Sequence, residues 1–433
     1  MIFKVFKYIS YSLAGILVAW LLVLLTPPLF RRMVKYPAFQ IGVEEFQKLR
    51  KEPSVNSDLR LFRGVMHVHS YWSHDSEGRL NDIIPAAREN GIDFIFLADH
   101  PHGNLDTLPR GYNGYYDDVL IVPGTEKQGF DAWPFDSVII DWRRRKDSIA
   151  SEVISNGGII CFAHPEEEHD WGSKWYQGME IYNFHADTKD EKLLLQVVNF
   201  IINGKKYPQW SLREMFDEQT SILSRWDSLN CHRKIFGFSA VDTHENQNIR
   251  ARYLSDGRVQ WVGPNAHILD TARVNIWNRW LFHPPDKRGW IFRFMIDTYK
   301  ESFRYITNYV YADTLSVKSL SHHIKMGHLY TAFMSLGDAG GFQFLATGQD
   351  GEVRGIMGDS VRREKIMYLQ SLTPLPGQFR LIHNGIPIYR TSFNNYEFKW
   401  DKMIEKGTYR VEVYVRIRNR DLPWIYSNPI YVY

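Results

Sequence analysis

At 433 residues, with 44% hydrophobic and 15% aromatic side chains, the chain can bury at least one large core, which excludes disorder over most of its length. Its 52 Lys and Arg against 49 Asp and Glu leave a formal charge of +3, too small at this length to imply a nucleic-acid or polyphosphate partner. The two cysteines, Cys161 and Cys231, give neither a disulfide framework nor a CxxC metal site; Cys161 lies in the apolar run 158–162 and reads as a small buried hydrophobe.

From Tyr8 to Phe30 the chain carries no charged residue, a length that crosses a hydrocarbon core as a helix. A cleaved secretory signal needs a shorter apolar core and a small-residue cleavage pattern, whereas Thr26-Pro27-Pro28-Leu29-Phe30 follows here. Residues 1–35 are therefore expected to form a single-pass membrane anchor. Lys4 and Lys7 flank one side and Arg31, Arg32 and Lys35 the other, so the positive-inside count does not decide orientation, and only the very short preceding tail favours an extracytoplasmic catalytic part. Residues 36–59 read as a polar connector.

Beyond it, Leu61 to His69 alternates like a strand, and Leu80 to Glu89 reads as a helix closed by Gly91. Short apolar strands are expected at Asp93 to Ala98, Val119 to Gly124, Ile159 to Ala163, Met179 to Tyr182 and Phe236 to Val241, with a helix from Lys146 to Ser155. Longer helices are expected at Glu191 to Asn203, Ser211 to Asn230, Trp290 to Thr307 and Ser316 to Met326. Strands apolar on both faces, alternating with helices, argue for an α/β architecture with a parallel sheet. A barrel fits better than an open sheet, because nearly every strand ends in His, Asp or Glu and a barrel gathers its strand ends around one mouth. This barrel spans residues 60–333. Past Phe333 the pattern becomes all β, with Asn384-Gly385 as a hairpin turn and strict alternation from Thr408 to Val415, so residues 334–433 are expected to form a small sandwich-like domain.

The chemistry-bearing residues sit at those strand ends. His67 and His69 close the first strand two residues apart, a spacing that turns both side chains to one face and lets them grip one ion. His74 and Asp75 follow, Asp99-His100 closes the second strand, Glu126 the third, and His164 another. Met179 to His185 adds Glu180, Asn183 and His185, and Asp242-Thr243-His244 repeats the two-apart spacing. Mixed imidazole and carboxylate ligands suit Zn, Mn or Fe better than Mg or Ca. Asp99 is a candidate partner for a ligating imidazole, with direct ligation of a metal as the alternative, and Lys127 a candidate contact for a substrate phosphate, unless the latter side chain points to the opposite face of its strand.

In their order, these motifs resemble the PHP family, named for polymerase-associated domains and histidinol phosphatases, whose motifs look like H-x-H, then (T)DH, a strand-end H, and D-x-H. The resemblance covers roughly Arg60 to Glu245. It implies a distorted seven-stranded β/α barrel holding two or three divalent Zn, Mn or Fe ions, with His67, His69 and Asp242 on one ion, His100 and a bridging Glu126 on another, His164 and His185 on a third, and His244 completing the set. The family's Ser-Asp-Gly is Ser73-His74-Asp75-Ser76 here, which leaves open whether His74 or Asp75 is the ligand; position favours His74. The usual Thr before Asp-His is Ala98.

The functional expectation is a membrane-anchored metal-dependent phosphoesterase acting on a small phosphorylated molecule or a lipid head group, with no nucleic acid as partner. The alternatives are hydrolysis of amide or ester bonds, or a non-catalytic metal-stabilised sensor or scaffold. The basic run Arg143 to Lys146 reads as a solvated face, and His322, His323 and His328 as structural. The stretches Pro101 to Asp118 and Arg250 to Trp280 carry no motif and are expected as loops forming the pocket walls.

Overall fold

The computed structural model describes residues 2–53, 58–101, 108, 111–135, 140–187, 193–246, 248–263, 267–286 and 288–433, with the side chains of 2–5 and 193 outside that description. Helix α1 (Ile2–Phe30) is the one helix among the described residues long and apolar enough to cross a membrane. Pro27 and Pro28 remove two amide donors from its last turns, and a π-helical turn, Arg31–Lys35, follows. The expected connector is instead largely a second helix, α2 (Tyr36–Gln47), which buries Tyr36, Phe39, Val43 and Phe46. These recur at three- and four-residue intervals, one helical stripe, and Phe39 and Phe46 pack against Trp210 and Trp424.

Strand β1 (Arg60–Val68) lies inside a large mixed sheet. Helix α3 (Leu80–Glu89), strand β2 (Phe94–Leu97), the short β3 (Gly114–Tyr116), β4 (Val119–Val122), β5 (Thr125–Lys127) and β6 (Phe130–Trp133) follow. Then come α4 (Lys146–Ser155), β7 (Ile159–Phe162), β8 (Gly178–Asn183), α5 (Phe184–Asp187), α6 (Leu193–Asn203), α7 (Pro208–Arg213), α8 (Thr220–Asn230) and β9 (Phe236–Thr243). Parallel pairings join β4 to β2, β2 to β1, β1 to β9, β9 to β8 and β8 to β7. Hence these strands deliver their C-terminal ends to one edge, where ligands meet α/β sheets. Strand β6 runs antiparallel between β5 and β7, and the Glu126 amide donates to Ala98 O at the end of β2 (3.2 Å).

The stretch 250–280, expected as a loop, is mostly sheet. Strands β10 (Asn248–Tyr253), β11 (Arg258–Val262), β12 (Ile268–Arg273) and β13 (Trp290–Met295) form a separate antiparallel sheet in the order β12-β11-β10-β13. The helix expected over 290–307 is β13, then α9 (Tyr299–Tyr305), then the start of β14 (Thr307–Ala312). Trp290 to Met295 is rich in aromatic and β-branched side chains that suit a pleated surface, and Thr298 caps α9 by accepting from the Glu301 amide. The helix expected over 211–230 is split between α7 and α8, with Met215 buried in the break.

After α10 (Val317–Met326) and β15 (Leu329–Ala332), residues 334–433 contain strands β16 (Gln343–Thr347), β17 (Val353–Ile356), β18 (Ser360–Val361), β19 (Tyr368–His383), β20 (Ile386–Arg390), β21 (Asn395–Trp400), β22 (Gly407–Ile417), β23 (Arg420–Ser427) and β24 (Ile430–Val432), with a single short 3-10 turn. This region is stitched to what precedes it. Strand β15 pairs with both β14 and β23, Asn428 bonds both Gly237 and Leu329, and Arg410 is paired with Asp227 of α8.

Candidate metal centre

At the edge where the parallel strands end, five histidines and several carboxylates converge. His67 sits on β1 where the register with both β2 and β9 shifts, and its φ of 59° is left-handed. His164 after β7 and Asp242 on β9 share that backbone region, with φ of 50° and 47°. Each such residue costs about 1–3 kcal/mol, which packing around the cluster must offset. The two-residue spacing puts His67 and His69 on one face, and across the bulge their Nε2 atoms lie 3.1 Å apart.

Every one of the five rings has its Nδ1 engaged from behind. His244 Nδ1 faces Asp242 O at 2.9 Å and His100 Nδ1 faces Glu126 O at 3.2 Å; a carbonyl only accepts, so each Nδ1 carries the proton. Ser73 Oγ donates to Asp75 Oδ1 (2.6 Å) and is left to accept from His69 Nδ1 (3.3 Å). His67 Nδ1 meets Glu180 Oε1 (2.5 Å), and His164 Nδ1 meets Glu166 Oε1 (3.0 Å). All five Nε2 atoms are thereby turned inward, the orientation that outer partners impose on metal-ligating histidines.

The inward atoms meet carboxylates. Glu126 Oε2 lies 3.1, 3.4 and 3.4 Å from Nε2 of His67, His69 and His100, while its Oε1 lies 3.2 Å from His164 Nε2. Asp242 Oδ1 is 3.5 and 3.3 Å from His67 and His69, and its Oδ2 is 3.5 Å from His164. Asp75 Oδ2 stands 3.5 Å from His100 and 3.4 Å from His244. Two donors bound to one cation at about 2.1 Å and a tetrahedral angle sit about 3.4 Å apart, so these spacings fit cations between the groups. Asp242 Oδ1 is buried without a hydrogen bond, another sign of a position suited to a cation.

Electrostatics agree. Burial lowers the proton affinity of His67 and His164, but Asp131 and Asp242 around the first, and Glu126 and Glu166 around the second, outweigh it; His67 is raised well above the imidazole range and His164 to about 12. Burial would likewise raise Glu126 and Asp242, yet His67 and its neighbours hold both well below the carboxylate range. Such a field favours added positive charge, which bound metal supplies in exchange for protons.

The expected residues are placed as follows. His67, His69, Asp75, His100, Glu126, His164, Asp242 and His244 are brought together. His185 on α5 lies beside His244, with ring centroids 5.4 Å apart and the rings tilted at 46°. The preference for His74 over Asp75 reverses: His74 is exposed at the rim, 5.2 Å in ring centroid from His100, while the Asp75 carboxylate turns inward. Lys127 follows Glu126 on β5, where strand alternation directs its side chain to the opposite face. Asp99 faces Ser70. Its oxygens accept from the Ser70 amide (2.5 Å) and hydroxyl (2.8 Å), pinning the turn after His69, and burial raises it to about 6. Asp131, on β6 behind His67, was not expected. Its signal was one charged residue in the otherwise apolar strand Phe130–Trp133. Burial pushes it up to about 8, and it lies 3.3 Å from His67 Nδ1.

No protein-family model and no curated protein matches the chain. A solved structure from Bacteroides vulgatus, described as a two-domain protein containing a predicted PHP-like metal-dependent phosphoesterase, is similar at 12% identity and a TM-score of 0.34, over 87% of this chain and 98% of that one.

Proposed function

We propose that the chain is a membrane-anchored hydrolase of phosphate esters, with its buried cluster holding two or three divalent Zn, Mn or Fe ions. The observation that carries this reading is the inward turn of five imidazole Nε2 atoms, each locked from behind, around the shared carboxylates Glu126, Asp75 and Asp242. Clustered cations, when bound, activate a water and neutralise the phosphate oxygens of an in-line displacement. The chain's own contribution is orientation. Glu126 spans two ligand groups, Glu180 and Asp131 fix His67, and Ser73 aligns His69 with Asp75. We read the strand pairings that run from β2 through β1, β9, β8, β7 and β6 to β5, with Glu126 bonded back to the end of β2, as a distorted barrel. Helix α1 is read as the single membrane span, with the centre on the extracytoplasmic side and residues 334–433 as an appended β region.

The test uses the full chain in detergent, because α2 belongs to the core and cannot be trimmed away. Metal content by mass spectrometry is measured beside hydrolysis of an aryl phosphate monoester and diester with Mn or Zn supplied. Two or more metals per chain, with turnover falling by more than about a hundredfold in His67→Ala and Asp242→Ala, is the expected result. Bound metal without phosphatase activity would move the assignment to amide or ester hydrolysis or to a sensor. Metal-free, inactive protein would sink it.

A further inference from the structure

Between β12 and β13 the chain turns at a tip where Ile276, Trp277 and Trp280 are 74, 83 and 75% exposed. The tip is an ordered turn: Trp280 Nε1 donates to Trp277 O (2.6 Å), and the Asn275 amide donates to Asn278 Oδ1 (2.8 Å). Nor are these side chains needed for the small sheet, whose own core is Ala251, Val259 and Ile291. Indoles held in water beside arginines are the chemistry of a membrane–water interface.

Two further observations select a bilayer as the occupant. Residues 248–295 contain eight Lys and Arg against three Asp; Arg250, Arg258, Arg288 and Arg293 are paired with Glu77, Asp256, Asp82 and Glu245, while Arg273 and Arg279 flank the tip. The end of β13 also shares a groove with α6, the helix packed at the exit of α1. Asn203 on α6 donates to Pro28 O (3.0 Å), Arg32 donates to Ile202 O, and α6 leaves Leu194, Leu195 and Ile201 exposed. Phe200 and Ile201 of α6 then line one groove with Phe294 and Ile296 at the end of β13. This groove, which Lys205, Arg293, Lys300 and Glu301 also line, joins α6 to the end of β13, and the sheet is rooted at the metal centre, since Arg293 lies 3.4 Å from Glu245, next to His244.

We propose that the β10–β13 sheet docks on an anionic lipid bilayer, seating Ile276, Trp277 and Trp280 among the head groups while Arg273 and Arg279 meet lipid phosphates. This second contact, beside α1, holds the mouth of the metal centre against the membrane surface. The inference rests on α1 being a membrane span and is independent of the reaction catalysed.

The experiment places the full chain, with Cys231→Ser, in nanodiscs of phosphatidylcholine and phosphatidylglycerol carrying nitroxide lipid. Single cysteines are introduced by Ile276→Cys, Leu22→Cys or Asn394→Cys and labelled with an environment-sensitive fluorophore; Cys161 is buried and does not compete. Labels at positions 276 and 22 are expected to be quenched several-fold more than the label at 394. Arg273→Glu with Arg279→Glu should weaken quenching at 276 and leave 22 unchanged. Quenching at 22 but not at 276 overturns the docking alone, and quenching at neither overturns the span together with it. Labels at 276 that quench one another across two chains, but not with lipid, would assign the tip to a second copy and also overturn it.

Discussion

At the scale of single residues, the centre is specified as much by what stands behind each imidazole as by the imidazoles themselves. Glu180 is the strongest case. Burial would raise its pKa, but His67 and His164 outweigh that and keep it ionised, with Oε1 on His67 Nδ1 and Oε2 accepting from the His164 amide (2.9 Å) and from Asn183 (3.0 Å). One carboxylate therefore orients two candidate ligands without facing the substrate. Glu180→Gln keeps the shape and removes the charge, so it is expected to lower metal affinity by about 10–100-fold while leaving the fold intact. Metal titration with circular dichroism as the control checks this, and unchanged affinity would reduce Glu180 to a packing residue. The inward imidazoles and carboxylates are legible in the sequence, because a chemically committed residue at a strand end is visible in one dimension. It could not show Asp131 in the same way, since only the antiparallel pairing of β6 with β7 brings that side chain behind His67.

Among elements, the reading succeeded where local pattern and tertiary burial agree. Helices α3 and α4 fall on their expected spans, Leu80–Glu89 and Lys146–Ser155, because each is bounded by its own stop at Gly91 or Gly157. It failed where a partner decides, as in β13, whose six residues are strand because β10 lies beside them. One element carries a pH dependence. His323 of α10 and His328 share a single Nδ1···Nδ1 contact of 2.8 Å, while their Nε2 atoms face Asp313 and Asp359, each at 2.9 Å. That contact holds one proton, and a second sets two N–H groups against each other. Burial, and then the charge of His328, lowers the His323 pKa despite Asp313. A histidine with a lowered folded pKa leaves stability complete above the unfolded value of about 6.5 and loses it as pH falls below. Protection of the α10 and β24 amides, measured against their intrinsic exchange rates, is therefore expected to fall as the pH drops from 7.5 to 5.5, and His323→Gln should abolish the step. A step that survives the substitution would place its origin elsewhere.

For the whole molecule, the question is whether the β strands after residue 333 are a passenger or part of the structure that holds the centre. The ion pair at Arg410 answers through its burial. This guanidinium on β22 donates to both oxygens of Asp227 on α8 (2.6 and 2.7 Å) and to Glu412 (2.7 Å), in a pocket where all three side chains are buried. Burial disfavours its charge, but Glu412 and Asp227 outweigh that, and its pKa is raised. Helix α8 immediately precedes β9, which carries Asp242, so strain at this joint is transmitted to a ligand-bearing strand. Arg410→Met would leave two carboxylates buried without their counter-charge, a change that costs about 3–5 kcal/mol when one partner of a buried pair is removed. If the molecule is one cooperative body, denaturant unfolding shifts as a single transition to lower midpoint, and metal release moves with it. If the C-terminal strands are a tethered module, unfolding separates into two transitions and the metal stays bound through the first. The pairing of β15 with β23, together with the Asn428 bridge from Gly237 to Leu329, favours the single transition.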